Sequence, residues 1–159
     1  MYSCKLKKGE SPQLLMGVLG GIFSEGIDFI GDMAIGAFIV GPGLPAYCFE
    51  QELKKKYFNQ RWNKGFEYAY RNIGMMKVIQ AAGRIFRSPT DRGIVMLIGQ
   101  RFINKYYRSV LPQNWNIENP YKYPQRIESF WNHQIPLLYH TYDEKLNRVF
   151  VSTKKNQSE

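Results

Sequence analysis

Cysteine is scarce in this chain: Cys4 and Cys48 are the two among 159 residues. Two thiols cannot build a disulfide scaffold, nor the four-thiolate set of a zinc or iron–sulfur site within one chain. A reduced, cytosolic setting is the simplest fit. Histidine is equally sparse. His133 and His140 stand seven residues apart, too far for the i, i+4 pair of a helical zinc site, so no metal site is expected. No apolar run reaches the roughly 18 residues of a membrane-spanning helix. Lys5, Lys7 and Lys8 ahead of Leu14–Phe23 mimic a secretory leader, but Gly9-Glu10-Ser11-Pro12 interrupts the pattern and Glu25 follows at once. A leader and a membrane partner are therefore not expected. Two nucleotide motifs are missing as well. There is no Gly-x-x-x-x-Gly-Lys-[Ser/Thr] loop to cradle β- and γ-phosphates, and no Asp-Glu-x-[Asp/His] box to hold magnesium; Asp143-Glu144-Lys145 lacks that form. Acidic side chains are few: 13 against 22 Lys and Arg, a net charge of +9. That surplus favours phosphate-bearing partners without naming one.

Apolar residues make up 44% and charged residues 22%, the balance of a soluble globular chain of one-domain size. Three short apolar runs read as buried strands: Leu14–Leu19 before Gly20-Gly21, Ala34–Val40 before Gly41-Pro42-Gly43-Leu44-Pro45, and Ile94–Ile98. Between the last two the pattern is helical. Phe49, Leu53, Tyr57, Phe66, Ala69 and Tyr70 recur at spacings of three and four from about Cys48 to Asn72. Gly65 is placed to bend or split that helix. A second helix is expected over Met75–Arg87, stopped by Pro89, and a short one from Gly99 to about Arg108. Strands without alternation, joined by helices, imply a mostly parallel sheet covered on both faces. Three strands are fewer than a doubly wound domain carries, so the sheet is expected to be incomplete on its N-terminal side. After Leu111-Pro112 the chain turns rich in Asn, Tyr and Pro, with one amphipathic helix expected within Arg126–Tyr142 and a polar tail at Ser152–Glu159. The organisation expected is a domain over 1–112 and an extension over 113–159. Cys48 reads as a core residue, Trp62, Trp115 and Trp131 as core residues with base-stacking platforms as the alternative, and Lys54–Lys56 as a solvated helix face with phosphate contact as the alternative.

Two segments carry chemistry. In Gln80-Ala81-Ala82-Gly83-Arg84-Ile85-Phe86-Arg87, a helix places Gln80, Arg84 and Arg87 on one face at i, i+4 and i+7. Two guanidiniums on one stripe, with no acid beside them, call for an anion, and a triphosphate fits. Gly83 lets a ligand or another backbone come close to that face. The second segment, Gly21–Phe29, follows a predicted strand. Its glycines allow backbone approach to a phosphate or ribose, and Glu25 and Asp28 offer acceptors to ribose hydroxyls, a metal-bound water or the arginines.

Together these segments resemble motifs V and VI of superfamily 2 helicases of the XPD/DinG-like type. The loop pattern Gly-x-x-x-Glu-Gly-x-Asp-Phe is matched by Gly21, Glu25, Gly26, Asp28 and Phe29. The pattern Gln-x-x-Gly-Arg-x-x-Arg is matched by Gln80, Gly83, Arg84 and Arg87. Thr90-Asp91-Arg92-Gly93, Arg101-Phe102, Tyr107-Arg108-Ser109 and Leu111-Pro112 continue the likeness, which covers about residues 12–115. The resemblance implies an α/β fold, the second RecA-like domain of a helicase motor of the P-loop NTPase type. It implies ATP with Mg2+, bound mainly by a first, P-loop-bearing motor domain supplied in cis or in trans. Arg84 and Arg87 would reach the phosphates across the domain interface. Gln80 would position the γ-phosphate or the attacking water. Glu25, Gly26 and Asp28, with Gly83, would join the nucleotide site. Single-stranded DNA is the implied partner, with Ser24 and Arg101 as contacts. The iron–sulfur cysteines of many members belong to the other motor domain, so no cluster is expected here. The chain then reads as the C-terminal piece of an ATP-dependent DNA helicase, inactive alone, nucleoid-associated in a prokaryote and nuclear in a eukaryote. The alternatives are a non-catalytic nucleic-acid-binding remnant and a bare interaction fragment whose half-finished sheet exposes apolar edges.

Overall fold

A computed structural model describes residues 14–21, 33–85, 93–113, 115, 117–118, 139–143 and 148–152. Strand β1, Gly36–Val40, and strand β2, Ile94–Ile98, pair in parallel with Gly36 opposite Ile94 and Val40 opposite Ile98. Parallel neighbours need a crossover, and the helices supply it: α1, Phe49–Trp62, a π-helical turn at Glu67–Arg71, and α2, Asn72–Gly83.

The core lies between this strand pair and α2. Met75, Val78 and Ala82, at i, i+3 and i+7 on α2, meet Ile39 of β1 and Val95 and Leu97 of β2. After β2, Gly99 takes φ 136°, a value open to glycine and strained for other residues. The chain then enters a 3-10 turn, Gln100–Phe102, which drives the fully buried Phe102 into the core. Helix α3, Lys105–Arg108, follows; the Asn104 side chain caps it by accepting from Tyr106 N–H at 2.8 Å. Tyr107 and Leu111 close the core. On its other edge β2 pairs antiparallel with β5, Arg148–Ser152, which also pairs antiparallel with β3, Ile117–Glu118, and β4, Tyr139–Asp143. The parallel pair and its helical crossover are the α/β core; the antiparallel strands all come from the segment after Leu111-Pro112.

Several expectations change in three dimensions. Residues Leu14–Leu19 form no strand. They lead without regular structure into a turn where Gly21 N–H donates to Val18 O at 2.9 Å, and Leu14, Met16 and Val18 are exposed. An apolar run becomes a strand only when a partner takes up its backbone groups. The helix expected through Asn72 ends at Trp62, because Asn63 adopts φ 54° and donates to Asn59 O at 3.0 Å, a left-handed cap. Gly65 is buried against the Lys55 carbonyl, where a Cβ would collide, so it serves as a point of close approach beside the break. Helix α2 starts at Asn72 and ends at Gly83, short of Arg87, while the helix expected from Gly99 divides into the 3-10 turn and α3. Cys48 is exposed at the start of α1, and Trp62 is about half exposed, so neither is a core residue. Trp115 is partly buried against the core; Trp131 lies outside the described residues. Within Arg126–Tyr142, residues 126–138 lie outside the described residues, and Tyr139–Tyr142 belong to β4 instead of a helix.

Candidate functional site

Helix α2 presents one face through Lys77, Gln80 and Arg84, at i, i+3 and i+7. Gln80 is exposed, and Arg84 is half-buried. Arg84 keeps helical geometry (φ −75°, ψ −19°) one residue past the helix end, with its N–H directed at the Ala81 and Ala82 carbonyls. The last turn therefore tightens toward a 3-10 form, and Ile85 N–H continues it by donating to Ala82 O at 3.0 Å. The spacing of Gln80 and Arg84 is thus the helical one. Gly83 is exposed on this last turn, and a Cβ built there meets no described atom within 4 Å. No contact among the described residues requires glycine at this position, although glycine in a helix costs about 0.5–1 kcal/mol relative to alanine.

Gly20, the residue just before the Gly21–Phe29 segment, reaches the same helix face. A Cβ on Gly20 would stand 3.1 Å from both Cε and Nζ of Lys77, and a Cβ on Gly43 would stand 3.3 Å from its Cδ. The Lys77 stem therefore runs past two glycines, one just ahead of the acidic loop and one in the turn after β1. Gly20 has φ 84°, so its backbone selects glycine. Sequence reasoning missed Lys77; the signal was its place three residues before Gln80 on the same face.

Arg101 is exposed on the turn after the carboxyl end of β2, next to the buried Phe102. Helix α2 starts at the opposite side of the core from its own C-terminus, with Gly74 against Leu44 of the turn after β1. Its 12 residues extend about 18 Å, so Gln80 and Arg84 stand toward the other end of the strand pair from Arg101. Ser24, Glu25, Gly26, Asp28 and Arg87 lie outside the described residues.

The side chains at this face are a carboxamide, a guanidinium and an ammonium. Such donors suit phosphate oxygens and do not suit a metal ion. Among the described residues no group of three or more His, Cys, Asp or Glu side chains could hold a metal. No described helix is long and apolar enough to cross a membrane.

Elsewhere, two tyrosines lock the helical layer. Tyr70 Oη donates to Glu52 Oε1 at 2.8 Å, and Lys55 Nζ donates to Glu52 Oε2 at 3.1 Å. Burial, then the Glu52 carboxylate, pushes the Tyr70 phenol up to about 12, while the Tyr70 hydrogen bond and then Lys55 hold Glu52 below the usual carboxylate range. Burial and the Glu67 carboxylate likewise push Tyr106 up to about 12. Arg71 ties the layer together: its Nη1 donates to Tyr106 O at 2.9 Å, and its guanidinium stands 3.8 Å from the Tyr106 ring centroid.

The family described as "Helicase C-terminal domain" matches residues 2–118. "ATP-dependent DNA helicase CHL1" of Candida albicans is 33% identical over 124 residues, 70% of this chain and 15% of that protein. The Debaryomyces hansenii protein of the same name is 31% identical over 112 residues, 64% of this chain and 14% of that protein. The Eremothecium gossypii protein of that name is 30% identical over 112 residues, again 64% and 14%. The chain thus spans about 15% of the length of these relatives.

Proposed function

The chain belongs to the helicase C-terminal domain family, with relatives among DNA helicases of the XPD/DinG-like superfamily 2 type, and from that premise we propose that it supplies motifs V and VI to an ATP-dependent DNA helicase motor. The observation that carries the proposal is the shared face of α2. Gln80 and Arg84 keep helical spacing beside an open Gly83, and Lys77 on the same face touches the glycine that leads into the Glu25–Asp28 loop. Cationic and amide donors share one helix face, where a phosphate-bearing ligand held by a second domain can approach.

In this proposal the motor-domain part is 1–112, and 113–159 is an extension that adds strands to the free edge of β2. ATP supplies the phosphoryl group whose transfer drives translocation, and Mg2+ is held by the P-loop-bearing domain. Arg84, with Arg87, places positive charge against the phosphates from outside that domain. Such a residue is worth about 10³-fold or more in turnover. Gln80 orients the attacking water or the γ-phosphate with its amide. Gly83 leaves room for the approach. Glu25 and Asp28 relay the state of the nucleotide site toward Ser24 and Arg101, which contact single-stranded DNA. No iron–sulfur cluster is assigned to this chain. It is inactive alone, because no residue of it cradles the β- and γ-phosphates.

The test is a chimera in which this chain's matched segment replaces the corresponding segment of the Candida albicans relative. DNA-stimulated ATP turnover should appear in the chimera and be absent from the isolated chain. Arg84→Ala and Arg87→Ala should each lower turnover by about 10³-fold. A loss below about tenfold, or robust metal-dependent turnover by the isolated chain, overturns the assignment.

A further inference from the structure

Helix α1 is 14 residues long and buries none of them. Its exposed side is nevertheless highly ordered by ring contacts. Phe58 stacks on Trp62 at 5.6 Å between centroids and on Tyr68 at 4.9 Å, and Trp62 lies 5.7 Å from Tyr68. Each ring limits the rotamers of the others, so Trp62 holds one orientation while 53% exposed. One turn away the Arg61 guanidinium rests 4.8 Å from the Tyr57 centroid. On the helix Lys54, Tyr57, Phe58, Arg61 and Trp62 occupy one arc.

Charge points in the same direction. Residues 53–64 contain five basic side chains and no acidic one. Of these, Lys55 is paired, with Glu52. A face meant for an ordinary apolar protein surface would gain nothing from such a run. A polyanion with flat rings uses both features: phosphates meet the cations, and bases stack on the exposed aromatic faces.

We propose that this face of α1, with Trp62 as stacking platform and Lys54 and Arg61 as phosphate contacts, is a docking surface for single-stranded DNA, separate from Ser24 and Arg101. The choice of DNA rests on the helicase reading above. The rings are already held by one another, so little rotamer entropy is lost when a base stacks. Glu50 sits on the same arc in the first turn, about 16 Å from Arg61 along the axis, and repels phosphates there. The strand is thereby kept to the stretch from Lys54 to Trp62.

The test uses the full chain and a fluorescein-labelled oligothymidylate of about 12 nucleotides, within the site sizes of such surfaces. Trp62→Ala should weaken binding at least about fivefold, the low end for loss of one stacked base. Lys54→Glu combined with Arg61→Glu should weaken it further and make the salt slope shallower by about 1.4, two single-strand phosphate contacts. Trp62→Phe should restore part of the affinity. As a check that does not disturb the ring cluster, Trp115→Phe with Trp131→Phe leaves Trp62 as the sole tryptophan of the three; its emission should be quenched on saturation with the oligonucleotide.

An affinity within twofold of the parent in Trp62→Ala or in the charge reversal, or an unquenched Trp62, overturns the site even if DNA binds elsewhere. Failure of the parent chain to bind the oligonucleotide overturns it too. The helicase reading is judged separately, by the arginine dependence of ATP turnover in the chimera, which does not involve Trp62.

Discussion

The backbone of Leu44 occupies the space that a side chain on Gly74 would need. A Cβ on Gly74 would stand 3.0 Å from Leu44 N, 3.1 Å from its Cα and 2.7 Å from its Cδ2. This contact seats the first turn of α2 against the Gly41–Pro45 turn that leaves β1. Gly74→Ala would raise helix propensity by up to about 1 kcal/mol. It would also overpack a site where Leu44 Cδ2 must move aside and the Leu44 backbone already stands at 3.0–3.1 Å, at a cost of about 1–3 kcal/mol. The expected net is a loss of stability, read as a lower urea midpoint at unchanged slope.

Gly83→Ala should have the opposite sign. The added methyl enters open space among the described residues, and alanine is the better helix former, by up to about 1 kcal/mol. The urea midpoint should rise. In the chimera the same substitution should lower ATP turnover, since it fills the approach assigned to the nucleotide. A variant both more stable and fully active would show that the open surface at Gly83 has no part in that approach.

The two hydrogen-bonded tyrosines predict an alkaline transition. The phenols of Tyr70 and Tyr106 are each raised to about 12 in the folded chain, against about 10 when unfolded. A raised value means that the folded state holds the proton more tightly. The associated stability is complete below about pH 10 and is lost as pH rises from there toward 12. Absorbance at the phenolate band should show late-titrating phenols among the 11 tyrosines, one fewer in Tyr70→Phe and in Tyr106→Phe. Glu52 acts at the other end. Its lowered value contributes stability above the ordinary carboxylate range, lost as pH falls through the lowered value.

Neighbouring residues on the turn after β2 should separate cleanly. Phe102 is fully buried, and Phe102→Ala should cost about 3–5 kcal/mol through lost burial and the cavity left behind. Arg101 is exposed, and Arg101→Ala should change stability by no more than about 0.5 kcal/mol. Thermal melts of the two variants check the pair. Equal losses would mean that Arg101 takes part in the core packing.

Local pattern determined a good deal of this protein. The β-branched run Ile94–Ile98 became β2 with its expected limits, because a short apolar segment bounded by glycines has few other ways to bury itself. A helix over Met75–Arg87 is legible ahead of Pro89 and overlaps α2 at Asn72–Gly83, and the ordered motifs around Glu25–Asp28 and Gln80–Arg84 pointed to the helicase family that the chain belongs to. What pattern could not supply was partnership. Leu14–Leu19 is as apolar as a strand yet joins no sheet among the described residues, and its Leu19 packs against the core instead. Trp62 has the composition of a core residue yet stands half exposed, because its helix packs on a π-helical turn along one side only. Composition says which groups avoid water, and periodicity says which share a face. Which faces then meet, and which are left open for a ligand, is decided by long-range packing: by a Lys77 stem lying along Gly20, a Leu44 backbone seated on Gly74, and three rings closing on each other over α1.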